Sequence, residues 1–120
     1  MDTFIHPSQA NLQYLESLQL SGPVVMINLL RFNGATGLEA YAKYAEAAAP
    51  FLESYGAKVT YAGIVAAAVV GDEKWDEILL VQYPSVDVFF TMTNHQDYPG
   101  QLRADSLADS RLYCSQPDIV

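Results

Sequence analysis

Two stretches of this chain, residues 24–32 (VVMINLLRF) and 75–84 (WDEILLVQYP), are apolar whichever way a strand is turned. Side chains along a β-strand alternate between two faces. In the second stretch one face carries Trp75, Glu77, Leu79, Val81 and Tyr83, and the other Asp76, Ile78, Leu80 and Gln82. In the first, Asn28 stands among Val24, Met26 and Leu30, while Arg31 shares its face with Val25, Ile27 and Leu29. Such strands need cover on both sides. A chain of 120 residues has the length of one domain, so the second layer of cover is the problem its fold must solve.

The rest of the pattern supplies one layer. Leu12, Tyr14, Leu15 and Leu18 predict a short amphipathic helix within 7–20, closed by Ser21-Gly22-Pro23. Leu38, Tyr41, Ala45, Ala48, Leu52 and Tyr55 step by three and four and predict a longer helix over 38–55. Pro50 predicts a kink in it near Glu46, and Gly56 a left-handed stop after it. Residues 57–71 read as a long strand, with Gly63 marking a bulge or a close backbone approach. Gly71-Asp72-Glu73-Lys74 then turns the chain into 75–84, making a hairpin. Ser85 caps a helix over 86–93. A polar loop, a short helix over 102–107 and a last strand over 110–116 complete the chain. Residues 1–21 form an N-terminal helical extension, and residues 22–120 the main domain.

Without that first helix the order is strand, helix, strand, strand, helix, strand. This is the ferredoxin-like split βαβ pattern, an α+β fold with one antiparallel four-stranded sheet and both helices on one face. The other face stays bare. Soluble monomers rarely leave so much apolar surface open, and the simplest cover is a second copy, sheet against sheet. Burying roughly 600 Å² of apolar surface per subunit is worth on the order of 15 kcal/mol before association costs. A homodimer through the open sheet face is therefore expected.

Charge narrows the partners. Fourteen Asp and Glu against six Lys and Arg give a formal charge of −8, which repels nucleic-acid phosphates and anionic membrane. No apolar run approaches the roughly 18 residues a membrane span needs, and the start MDTFIHPSQ lacks the form of a signal peptide. The lone Cys114 excludes an internal disulfide and fits a reducing compartment; a cytoplasmic location is expected.

The stretches VVMINLLRF, AYAKYAEAAAPFLESYGAKVTYAG, WDEILLVQYPSVDVFFTM and YPGQLRADSLADSRLY, in this order and spacing, resemble a family of small bacterial proteins known as a domain of unknown function, number thirteen-thirty. The resemblance runs from about Gly22 to Tyr113. It implies membership of the dimeric α/β barrels, whose protomers are ferredoxin-like. That superfamily includes cofactor-independent monooxygenases, muconolactone-type isomerases, stress-responsive proteins and haem-dependent peroxidases. Many of its enzymes place a pocket between sheet and helices. The resemblance does not imply a reaction, because one fold hosts unrelated chemistries.

Several residues can carry chemistry. His95, near Asp97, offers a general base or is a surface-loop histidine. Asp76, beside Trp75, offers acid–base chemistry or an arginine partner. Asn28 needs hydrogen-bond partners if buried; it either holds an oxyanion or satisfies the strand. Arg31 and Arg103 are candidate clamps for a carboxylate ligand, and equally partners for Asp76, Asp105 or Asp109. Tyr44 and Tyr83 are the first choices to line an aromatic pocket. No Cys-x-x-Cys, His-x-x-x-His or glycine-rich phosphate loop occurs, so neither metal nor cofactor is expected. The reading is a cofactor-independent enzyme moving a proton on a small organic acid, lactone or aromatic compound, with a non-catalytic metabolite-binding or stress-related dimer as the alternative.

Overall fold

A computed structural model describes residues 2–118. The elements follow as α1 (Gln9–Ser17), β1 (Val24–Phe32), α2 (Gly34–Ser54), β2 (Lys58–Ile64), β3 (Glu77–Tyr83), α3 (Val86–Thr93), α4 (Gly100–Ser106) and β4 (Leu107–Ser115). The strands form one sheet in the order β2-β3-β1-β4, all neighbours antiparallel. This is the ferredoxin-like arrangement that the strand and helix order predicts.

Burial along β1 alternates. Val24, Met26, Asn28 and Leu30 are buried, while Val25, Ile27 and Leu29 are only half-buried. The register sets Val81 and Tyr83 of β3 beside Met26 and Val24 on the buried face. There they pack with Val86 and Met92 of α3 and with Phe51 and Leu52 of α2. At the other end of the same face Leu30 packs with Tyr41, Tyr44 and Ala48 of α2 and with Leu107. The helices thus cover one face only. On the opposite face Tyr61 and Tyr113 are each 55% exposed.

Local signals decide where the elements stop. The Ser85 hydroxyl accepts the Val88 N–H at 3.1 Å and opens α3, and Ser8 caps α1 through Asn11 in the same way. α2 runs through Pro50. Gly56 follows it at φ +72°, the left-handed position a side chain resists. In β2 the register shifts between Val59 and Tyr61. Gly63 has a different duty, because the Tyr61 ring occupies the place a Cβ there would take.

The hairpin is shorter than the sequence predicts. β2 ends at Ile64 instead of Gly71, and β3 begins at Glu77 instead of Trp75. The ladder closes with Ile64 opposite Glu77 and a last bond from Val65 N–H to Asp76 O. Ala66, Ala67 and Ala68 lack the branched or aromatic side chains that favour strands, and Trp75 leaves the strand line to lie against two guanidinium groups. β4 conversely starts earlier than predicted, at Leu107, taking over the end of the predicted 102–107 helix.

The N-terminal segment is tied to its own chain. The Phe4 N–H donates to Asp109 Oδ1 at 2.8 Å and the Phe4 carbonyl accepts from the Ser110 hydroxyl at 2.7 Å. Ile5 packs against the group around Leu30, Tyr41 and Tyr44. α1 has no buried residue, although Leu15 packs on the core from its edge. Among the described residues, no helix is long and apolar enough to cross a membrane.

Candidate functional site

Polar side chains gather beneath the helices at the middle of the sheet. Asn28 is 7% exposed. One of its two amide N–H groups donates to the Leu79 carbonyl of the paired strand at 3.3 Å, and its Oδ1 accepts from Arg103 Nη2 at 3.1 Å. Arg103 comes from the last turn of α4. That helix is fixed by Asn33, whose N–H donates to Ser106 O at 2.9 Å and whose amide donates to Leu107 O at 3.1 Å. The short helix therefore aims the guanidinium inward. Arg103 is half-buried and forms no ion pair with a carboxylate among the described residues.

Tyrosines surround it. Tyr41 and Tyr44 project from α2, Tyr83 ends β3, and Tyr98 lies before α4. The hydroxyls of Tyr44 and Tyr98 hydrogen-bond each other. Tyr41 packs against Tyr44 at 5.3 Å between ring centroids, and Tyr44 meets Tyr98 edge-on at 6.1 Å. Burial pushes the Tyr41, Tyr83 and Tyr98 hydroxyls well above the usual phenol range, and neighbouring Tyr44 adds to it; the Arg103 charge pulls weakly the other way on all three. These hydroxyls stay protonated at neutral pH, so they donate and accept hydrogen bonds but do not act as bases. Glu77 shares the helix-facing side with Leu79, Val81 and Tyr83, and burial raises its carboxyl above the ordinary value. Its charge is felt by Tyr41.

The structure brings together four of the sequence-predicted residues: Asn28, Arg103, Tyr44 and Tyr83. It adds Tyr41, Tyr98 and Glu77. The signal for Glu77 was its period of two with Leu79, Val81 and Tyr83, which fixes its face; Arg103 and Asn28, 75 positions apart, meet only through the tertiary fold. The other three candidates lie elsewhere. The Asp76 N–H donates to Leu30 O at 2.8 Å, and its Oδ2 accepts the Phe32 N–H at 2.9 Å, which extends the β1–β3 ladder. His95 is exposed on a turn, where its Nδ1 accepts the Asp97 N–H at 3.0 Å and its ring meets Phe51 edge-on at 5.5 Å. Arg31 lies on the opposite face of the sheet.

There Arg31 joins a second cluster. It donates to Lys74 O, stands 5.1 Å from the Trp75 ring and lies 3.7 Å from Asp109. Arg111 pairs with Asp109 at 2.7 Å and stacks on Trp75 and on Phe4. Asp109 is only 2% exposed. Burial alone would raise its carboxyl, but the Phe4 N–H, Arg111 and the Ser110 N–H outweigh that and hold it below the usual range.

Two surface cavities lie away from the buried cluster. One, of about 300 Å³, is lined by Val65, Ala68, Val70 and Trp75 in the β2–β3 loop. The other, of about 370 Å³, lies between Leu15 and Leu20 and the start of α3. Among the described residues, no group of three or more His, Cys, Asp or Glu could hold a metal ion.

Topology and site together define a ferredoxin-like α+β protein with a tyrosine-lined arginine beneath its helices. The chain belongs to the family described as domain of unknown function (DUF1330), whose model matches residues 32–111. It is similar to the RPA0582 protein of Rhodopseudomonas palustris, a protein of unknown function, at 29% identity and a TM-score of 0.91, covering 99% of this chain and 100% of that one. It shares its fold with a Bacteroides fragilis protein described as dimeric, of unknown function and ferredoxin-like, at 14% identity and a TM-score of 0.56, covering 80% and 97% of the two chains. A Thermobifida fusca protein described in similar words aligns at 16% identity and a TM-score of 0.53, over 78% and 90%. No protein of curated function matches this chain.

Proposed function

We propose that the cluster around Arg103 takes a compact organic acid and moves a proton on it without a cofactor. The observation that carries this reading is an inward-facing guanidinium whose hydrogen-bond partner is a neutral amide. Arginine offers five N–H donors in a fork matched to carboxylate, and Asn28 spends only one of its two amide donors on the sheet. An enolate oxygen held by Arg103 and Asn28 would be stabilised by groups already fixed in place. Glu77 is the carboxylate best placed to take the proton, because its raised pKa brings it nearer to neutral pH. The carbon–hydrogen electron pair would move to the carbonyl oxygen, and Glu77 would return the proton to another carbon, as in an isomerase.

The test has two readouts. Calorimetric titration with a panel of small carboxylates, on wild type and Arg103→Met, measures binding; loss of at least about tenfold in affinity is expected on removing the charge. Exchange of the ligand's α-proton in D₂O, followed by NMR, measures chemistry and is expected to stop in Glu77→Gln. No carboxylate bound by wild type would end this reading. Binding without exchange would favour a metabolite-binding protein without turnover, a reading supported by the Tyr44–Tyr98 bond that closes part of the cluster.

The bare sheet face calls for a second copy. Val25, Ile27, Leu29 and Leu80 are half-buried there with no helix over them, and two proteins of the same fold are described as dimeric. A homodimer through this face is the assembly proposed, measured by sedimentation at micromolar concentration.

A further inference from the structure

The connection between β2 and β3 is an apolar arm. Ile64 is 85% exposed, Val69 97% and Val70 94%, the three most exposed large hydrophobic residues among the described residues. Ala66, Ala67 and Ala68 between them are exposed as well. Beyond Val65, whose N–H reaches Asp76 O, the arm leaves the ladder. Aliphatic side chains held this far from their own core gain nothing from the hydrophobic effect unless something else covers them.

We infer that this arm, residues 65–71, is a clasp that lays Val69 and Val70 on a second copy of the chain. The inference rests on the dimer proposed above and says which element locks it. Three observations favour that occupant. The arm is continuous with the uncovered face, because it springs from the end of the strand that carries Tyr61, whose exposed ring lies over Gly63 on that face. Arm and face together leave Tyr61, Ile64, Val69, Val70 and Tyr113 open, the kind of apolar surface that soluble monomers rarely expose. The arm also curls round the cavity of about 300 Å³, whose wall is apolar at Val65, Ala68, Val70 and Trp75 and acidic at Asp72 and Glu73, so one element offers both protruding aliphatics and a hollow with an apolar side. A two-fold contact needs this kind of self-complementarity, and every contact is then made twice. Charge argues against lipid or nucleic acid. Asp72 and Glu73 follow directly on Gly71 at the hollow's edge, and the chain carries −8 overall, which repels phosphates.

The experiment compares wild type with the double variant Val69→Asp/Val70→Asp by analytical ultracentrifugation over a dilution series. These side chains are almost fully exposed in their own chain, so the far-UV circular dichroism spectrum is expected to stay the same. The dimer dissociation constant is expected to rise at least about 100-fold, the size of a central interface hot spot. Hydrogen exchange of the arm amides is expected to slow in concentrated wild type and quicken on dilution. A wild type that is monomeric throughout would overturn the dimer and the clasp together. A wild-type dimer whose dissociation constant the two aspartates leave unchanged, or whose arm amides exchange at the same rate at every concentration, would overturn the clasp alone.

Discussion

The two arginine clusters lie on opposite faces of one sheet and solve the same problem in opposite ways. Arg111, with Arg31 beside it, is matched by a buried carboxylate, Asp109, and stacked on Trp75 and Phe4. Arg103 has a neutral amide and a ring of phenols. A buried or half-buried cation with a carboxylate partner is spoken for, and its job is to hold chain segments together. One with neutral partners keeps an unbalanced charge that an incoming anion can satisfy. The contrast separates a structural site from a candidate binding site without any appeal to sequence relatives.

The sharpest way to break that contrast is Asp109→Asn. Asp109 gathers Arg111, the Phe4 N–H and the Ser110 N–H in one buried position. Removing its charge leaves Arg111 without its nearest counter-charge and loosens the N-terminal segment. Breaking a buried pair from one side costs about 3–5 kcal/mol, and a value near the low end is expected here because Arg111 keeps some exposure and a contact at 3.9 Å with Glu73. Urea denaturation measures it. Carboxylate binding should be unaffected; if it falls as far as in Arg103→Met, the two clusters are not separate in function.

Asn28→Asp makes the second cluster resemble the first. It places a carboxylate within reach of the Arg103 guanidinium, 3.1 Å from Asn28 Oδ1 in the wild type, and so cancels the charge a ligand would use. Affinity for small carboxylates should fall at least about tenfold, equivalent to 1.4 kcal/mol. Stability should move little, because the gain in ion pairing is offset by desolvation and by lost donation to Leu79 O. Unchanged affinity would show that Arg103 is not where the anion binds.

Tyr98→Phe tests the phenols with a smaller effect. It removes one partner of the Tyr44–Tyr98 hydroxyl pair and leaves the hydroxyl of the buried Tyr44 unmatched, at a cost of about 1 kcal/mol. If that bond closes the site, carboxylates should enter faster in the variant, seen as a higher association rate in stopped-flow.

Much of this layout is legible in the chain because it is written in short-range periods. The two-faced composition of VVMINLLRF predicts a strand over 24–32, and β1 occupies those residues; the Ser85 cap and the run after it predict the α3 observed. The strand alternation separates Arg31 from Asn28 and groups Glu77 with Tyr83. The β2–β3 arm was not legible as an arm, since Ala66–Val70 is apolar and apolarity alone does not say whether a partner strand stands opposite. In the fold none does, because β3 begins only at Glu77. The site itself is half legible. Asn28 is conspicuous as a polar residue in a greasy strand, but its partner comes from a helix 75 positions later, a distance no local pattern spans. His95 and Asp76 drew notice by residue type, and the structure places both at turns or strand ends, outside the tyrosine ring.

The smallest effect concerns two carboxyls of the sheet that are shifted in opposite directions. Burial raises Glu77 above its ordinary 4.5, so the folded chain binds its proton more tightly than the unfolded chain. Stability contributed by this group is fully present below pH 4.5 and is lost as pH rises through the raised folded value. Asp109 runs the other way: held below 3.8, it contributes stability above that pH and loses it as pH falls through the depressed folded value. Glu77→Gln removes the first slope and leaves the second. The variant should therefore melt slightly higher than wild type at pH 7, by no more than a few degrees given the partial exposure of Glu77. The difference should vanish on acidification to pH 4, while both proteins lose stability in parallel below that. Melting curves by differential scanning calorimetry between pH 3 and 8 measure both limbs. A Glu77→Gln protein that melts below wild type at pH 7 would mean that the carboxylate is paired rather than merely desolvated, and would remove it as the proton carrier of the buried cluster.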